Sequence, residues 1–144
     1  MTDSNQDAPA GRTLTVVNPA DLGAPQGFSH GILAPPGAAL LFVAGQVGFD
    51  HNNELVSDRF VAQFGQALRN VVAVVAAAGG QASQIARLTI YVTDKSEYLE
   101  DLSAVGGTYR AVMGRHFPAM ALVEVSGLVE PGAKVEVEAT AAIS

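Results

Sequence analysis

Two stretches near the C-terminal end constrain the fold of this chain more than any other feature. In residues 117–125 (FPAMALVEV), Ala119, Ala121, Val123 and Val125 fall on one side of an extended segment, and Met120, Leu122 and Glu124 on the other. In residues 134–140, Val135, Val137 and Ala139 alternate with Lys134, Glu136, Glu138 and Thr140. A period of two predicts strands with one face on a core. The second face carries carboxylates and a lysine among apolar residues, so whatever covers it bears on function.

Upstream, residues 1–11 read as a loose tail. Residues 13–17 predict a short strand, 18–26 a loop and 27–34 a weaker strand. Residues 39–44 (ALLFVA) are apolar on both faces, as in a central strand, which continues to Gly48 before a turn over 50–54. The clearest helix follows. Ser57 is its expected N-cap, with Asp58 in the first turn. Phe60, Phe64, Ala67, Leu68, Val71, Val75 and Ala78 recur at helical spacing, and Gly79-Gly80 supplies the stop. In residues 85–93, Leu88, Ile90 and Val92 face one way and Arg87, Thr89, Tyr91 and Thr93 the other. A second helical region spans 96–115, with a bend expected at Gly106-Gly107. This order predicts an α+β fold, a mixed sheet with parallel crossovers and both helices on one face. Leu88, Val123 and Val135 are expected beneath the helices, and Tyr91, Met120 and Leu122 on the uncovered face. An uncovered sheet face of this kind invites self-association.

A chain of 144 residues suits one domain over residues 1–144, and 49% apolar with 15% charged residues suits a packed core rather than disorder. The net charge of −6, with only eight dispersed lysines and arginines, argues against a nucleic-acid partner. With no cysteine there is no disulfide, thiolate nucleophile or cysteine zinc site. The polar N-terminal stretch lacks the apolar core of a secretory signal, and no uninterrupted apolar run suits a membrane span. A cytoplasmic protein without membrane contact is the expectation.

The stretch FPAMALVEV, followed by VEVEA, resembles the C-terminal signature of the RidA/YjgF family, the reactive intermediate deaminases. VAGQVGFD, QALRNVVAVVAAAGG and IARLTIYVTD resemble the family's other blocks in the same order, so the likeness runs from about Pro25 to Ala142. It implies a chorismate-mutase-like fold and a homotrimer around a central barrel, with small-molecule sites in clefts between subunits. The family's deaminases carry an arginine directly after the Pro-Ala of this signature; here that position is Met120.

Glu136 is the candidate catalytic residue, a carboxylate placed to activate water for attack on a C=N carbon. The resemblance gives the matching glutamate that role; the plain alternative is a solvated or ion-paired strand residue. Gly45 lets a ligand approach backbone N–H groups, as its family counterpart does for a substrate carboxylate. Phe28 is a cleft wall without the hydroxyl of the family's tyrosine, and Met120 and Leu122 complete the binding set. Methionine donates no hydrogen bond, so the guanidinium clamp on a substrate carboxylate is gone. Arg87 and Arg115 are the candidate replacement cations, and His30 a candidate acid or base. Glu138 and Glu124 are expected to pair with Arg87 or Lys134. His51, His116 and His30 lack metal-ligand spacing, and no metal or cofactor is expected. The reading is hydrolytic deamination of an enamine or imine metabolite, with aminomuconate-type intermediates as one possible class. A non-catalytic trimer that binds a small metabolite is the alternative, and an RNA-cleaving role is disfavoured by charge.

Overall fold

A computed structural model describes residues 13–144; the loose tail expected over residues 1–11 lies outside them. A two-stranded ribbon, β1 (Thr15–Val17) and β2 (Gly31–Leu33), precedes a four-stranded sheet. The sheet comprises β3 (Ala39–Gln46), β4 (Ile85–Val92), β5 (Ala119–Glu124) and β6 (Val135–Ile143), in spatial order β3-β6-β4-β5. β6 runs antiparallel to both neighbours, and β4 and β5 are parallel. The helices α1 (Phe60–Ala77), α2 (Lys95–Glu100) and α3 (Leu102–Met113) form the crossovers between the parallel strands β3, β4 and β5. The α+β class, the mixed sheet and the one-sided helical layer are those expected from the residue pattern.

The core lies between helices and sheet. α1 contributes Phe60, Phe64, Leu68, Val71 and Val75, and α3 contributes Val105, Tyr109 and Met113. They meet Leu88, Ile90 and Val92 of β4, Val135 and Val137 of β6, and Val43 of β3. α1 is 18 residues with mean hydropathy 1.3, the length and polarity of a membrane span. Its buried stripe against the sheet and its buried, hydrogen-bonded Gln63 make it a core helix instead. It stops as expected: Gly79 takes φ 87°, its N–H donates to the Ala76 carbonyl and that of Gly80 to the Val75 carbonyl. These are the paired bonds of a left-handed C-terminal cap.

Several boundaries differ from the sequence reading. α1 begins at Phe60, after an uncapped Arg59, because Ser57 closes a separate turn by accepting the Arg59 N–H at 3.0 Å. Residues 27–34 form a strand only over Gly31–Leu33; Gly27 has φ 75° and starts a turn. The second helical region breaks at Asp101, not at Gly106-Gly107. Asp101 ends α2 and caps α3 by accepting the Ala104 N–H at 3.0 Å, and both glycines continue inside α3.

The largest correction concerns β5. Arg87, Leu88, Ile90 and Tyr91 pair in register with Ala119, Met120, Leu122 and Val123. Directly paired residues share a face. Met120 and Leu122 therefore lie with Leu88 and Ile90 under the helices, where both pack against the core. Val123 lies beside Tyr91 on the open face and is 43% exposed. The alternation of β5 was read with its two sides exchanged.

The candidate active site

The sequence-derived candidates separate into two groups on opposite faces of the sheet. The first group is Gly45 and Glu136 on the open face. Between Val43 and Gln46 the register of β3 on β6 shifts, so Ala44 and Gly45 together oppose one residue, Glu138. The extra residue makes a bulge, a device that re-aims side chains and leaves ladder groups unpaired. It brings Gly45 against Glu136: a Cβ on Gly45 would lie 2.8 Å from the Glu136 carboxyl carbon. Glycine is needed there because any side chain would displace the carboxylate. The Glu136 side chain has no hydrogen-bond or ion-pair partner among the described residues.

Tyr91 pairs with Glu136 across β4 and β6, and its hydroxyl donates to Glu138 at 2.6 Å. That hydrogen bond pushes the Tyr91 phenol above its usual range, reinforced by partial burial and the two carboxylates. The expected pairing of Glu138 with a base is thus replaced by a tyrosine. Glu124 accepts the Lys95 N–H at 3.0 Å at the start of α2, and Lys134 pairs with Glu97 at 3.0 Å. Arg87 makes no ion pair among the described residues. Leu40 and Phe42 on β3 and Val123 on β5, at the two edges of the sheet, are 60%, 74% and 43% exposed.

The second group is Phe28, Met120 and Leu122, which line one cleft of about 530 Å³ on the helical side of edge strand β5. Ile90 and Phe64 extend its apolar wall; Tyr98, Leu102 and Val105 form the helical wall. Phe28 reaches the cleft because the next residue is anchored. The Ser29 N–H donates to the Pro118 carbonyl at 3.1 Å, and its hydroxyl donates to the Phe117 carbonyl. The Phe-Pro-Ala segment thereby holds the loop before β2. Burial pushes the Tyr109 phenol well above its usual range, and its hydroxyl donates to the His116 carbonyl at 2.6 Å, so it is a structural group behind the cleft.

Among the described residues, the cleft lining contains no carboxylate and no histidine. Its one charged side chain is Arg110 on α3, which sequence reasoning passed over. The available signal was its place beside the buried positions Val105 and Tyr109 on the same helix. Neither Arg87 nor Arg115 lines this cleft; Arg87 lines a separate hollow with His30, Ala119 and Thr140. The His30 ring Nε2 lies 2.6 Å from the Gly23 carbonyl, which holds the loop rather than the cleft. The His116 ring makes the equivalent contact with the Ile85 carbonyl at 2.7 Å.

Residues 20–143 match the family model described as Endoribonuclease L-PSP. A 2-iminobutanoate/2-iminopropanoate deaminase of Salmonella typhimurium is 36% identical over 106 residues, covering 72% of this chain and 79% of the relative. The crystal structure of the conserved Rid-family protein YyfB of Yersinia pestis superposes with TM-score 0.80 at 31% identity, over 91% of this chain and 99% of that one. The Escherichia coli YjgF structure gives TM-score 0.62 at 33% identity, over 87% and 92%. A family match over nearly all the described residues, joined to the same mixed sheet and one-sided helices, establishes that the chain belongs to the RidA/YjgF, or Endoribonuclease L-PSP, family.

Proposed function

We propose that this chain hydrolyses the C=N bond of a small imine, or of the enamine in equilibrium with it, to a carbonyl compound and ammonia. Water adds to the imine carbon and its proton passes to Glu136; the amine then leaves as ammonia on receiving a proton. The observation that carries this reading is the Glu136 carboxylate held against the Gly45 bulge without a hydrogen-bond or ion-pair partner among the described residues. The relative from Salmonella named as a 2-iminobutanoate/2-iminopropanoate deaminase supports the reaction class.

Within one chain, Glu136 and Met120 lie on opposite faces and cannot meet one substrate. A shared cleft therefore needs a second copy, whose open face brings Glu136 to the β5 edge of the first. Leu40, Phe42 and Val123 are the exposed apolar side chains of the open face that such packing would cover, and a ring of three copies with open faces inward closes the set. Met120 gives the cleft a soft apolar wall where the family's deaminases have an arginine, so the specificity differs from theirs. A non-catalytic metabolite-binding trimer is the second reading. It is favoured by the absence of any carboxylate or histidine, among the described residues, from the lining of the β5 cleft.

One experiment separates them. Native mass spectrometry at low micromolar concentration should give three chains, and Glu136→Gln should leave that mass unchanged. The native protein should release ammonia from 2-imino acids generated in situ, and Glu136→Gln should lose about 100-fold or more of that rate. A trimer that binds the products but never releases ammonia establishes the binding reading. A variant with full turnover removes Glu136 from the chemistry, and a monomer removes the shared cleft.

A further inference from the structure

We infer that Arg110 receives the carboxylate of the ligand in the β5 cleft, and that the cleft selects carboxylates bearing a branched or extended apolar chain. The inference rests on the deaminase reading for its substrate class, but its binding half stands independently.

Arg110 is the only charged group lining the cleft and has no hydrogen-bond or ion-pair partner among the described residues. The guanidinium lies back over Gly106, one turn earlier in α3: a Cβ at Gly106 would be 3.2 Å from its Nη1. Side chains on helices lean toward the N-terminus, and the bare backbone at Gly106 gives this one room to do so. That accounts for a glycine inside a helix, where it costs about 1 kcal/mol relative to alanine. Opposite α3, the wall is Met120, Leu122 and Ile90 on the sheet, with Phe64 and Phe28 beside them. One cation at an apolar cleft of about 530 Å³ matches an anionic head on an apolar body. A three- or four-carbon imino acid leaves much of that wall uncovered; a leucine- or phenylalanine-derived 2-imino acid covers it. A carboxylate clamp has thus moved from the strand position held by Met120 to the facing helix.

The test uses 4-methyl-2-oxopentanoate, pyruvate and the neutral ketone 4-methylpentan-2-one, titrated calorimetrically into native protein, Arg110→Gln and Arg110→Lys. Native protein should bind 4-methyl-2-oxopentanoate more tightly than pyruvate. Arg110→Gln should weaken the oxo acid about 10-fold or more and leave the neutral ketone unchanged, with Arg110→Lys intermediate. For the 2-imino acid made from leucine, Arg110→Gln should raise KM with little change in kcat. Absence of oxo-acid binding by native protein, or undiminished binding by Arg110→Gln, overturns the inference. Equal losses for acid and ketone also overturn it, since they mean a deformed cleft. Arginine-dependent binding without ammonia release leaves Arg110 in place and sinks the deaminase reading. Ammonia release indifferent to Arg110 does the reverse.

Discussion

Replacing Gln63 by leucine should lower the thermal unfolding midpoint by roughly 10 °C, the largest loss expected from any near-isosteric change on α1. Gln63 is fully buried and its side chain makes three hydrogen bonds. Nε2 donates to the Ser57 carbonyl at 2.8 Å and the Gly132 carbonyl at 3.0 Å, while Oε1 accepts the Lys134 N–H at 2.8 Å. The residue therefore ties the turn before α1 to the loop that feeds β6, one residue from Val135 and two from Glu136. Gly48 packs so closely beneath it that an added Cβ would lie 2.8 Å from the Gln63 Cα. Leucine fills similar space but leaves part-buried backbone groups without these partners. Each such group costs about 1–3 kcal/mol, so a total of about 2–4 kcal/mol is expected after partial relaxation. A chain of this length loses about 3–5 °C per kcal/mol. Circular dichroism melts at one fixed protein concentration measure the shift, with Ala62→Leu on the exposed side of α1 as the control. A midpoint within about 2 °C of native would show that the three bonds contribute no net stability.

Gln63 also marks what the sequence made legible and what it did not. The apolar stripe of α1, the glycine stop after it and the buried set Leu88, Ile90 and Val92 follow from periodicity, because a helix or strand repeats its environment along the chain. A lone polar residue within an apolar stripe gives no such repeat. Its three partners lie 6, 69 and 71 residues away in sequence. The exchanged faces of β5 have a related origin. Alternation sorts side chains into two sets but does not say which set is inside. The set Ala119, Ala121, Val123 and Val125 looked more apolar than Met120, Leu122 and Glu124. Register with β4 decided otherwise, and Glu124 escapes burial by reaching the start of α2. In the second helical region, glycine propensity pointed to Gly106-Gly107, while an aspartate cap at Asp101 made the break. Packing of Val105, Tyr109 and Met113 carries α3 through the glycines. Gly45 falls on a bulge and Phe28 in a loop, where no periodicity marks a residue. Arg110 was missed because its partner space, the cleft, exists only after β5 and α3 have packed.

Met120→Arg should convert the cleft toward small carboxylates, with turnover of 2-iminopropanoate rising about 10- to 100-fold over native. The range is that of one charge-assisted hydrogen-bonded pair, about 1.5–3 kcal/mol, at 1.4 kcal/mol per tenfold. Met120 is half-buried on the helical face of an edge strand, so the longer side chain can run along β5 and carry its guanidinium to the cleft mouth. Within its own chain that cation does not oppose Gly45, which lies on the other face of the sheet; in the proposed assembly it would meet the Gly45 bulge and Glu136 of a neighbouring copy. If the proposed trimer forms the cleft, the gain in turnover depends on assembly, and dilution to the single chain should abolish it. Arg110 lines the same cleft, so two guanidinium groups will repel one another when no anion is present. The double variant Met120→Arg with Arg110→Gln should melt higher than Met120→Arg alone and keep the gain for 2-iminopropanoate. It should lose the native preference for a leucine-derived imino acid. Ammonia release from both substrates, followed in the four proteins of this cycle, measures the exchange directly. Native turnover of 2-iminopropanoate equal to that of the Salmonella relative would show that methionine at this position leaves the specificity unchanged.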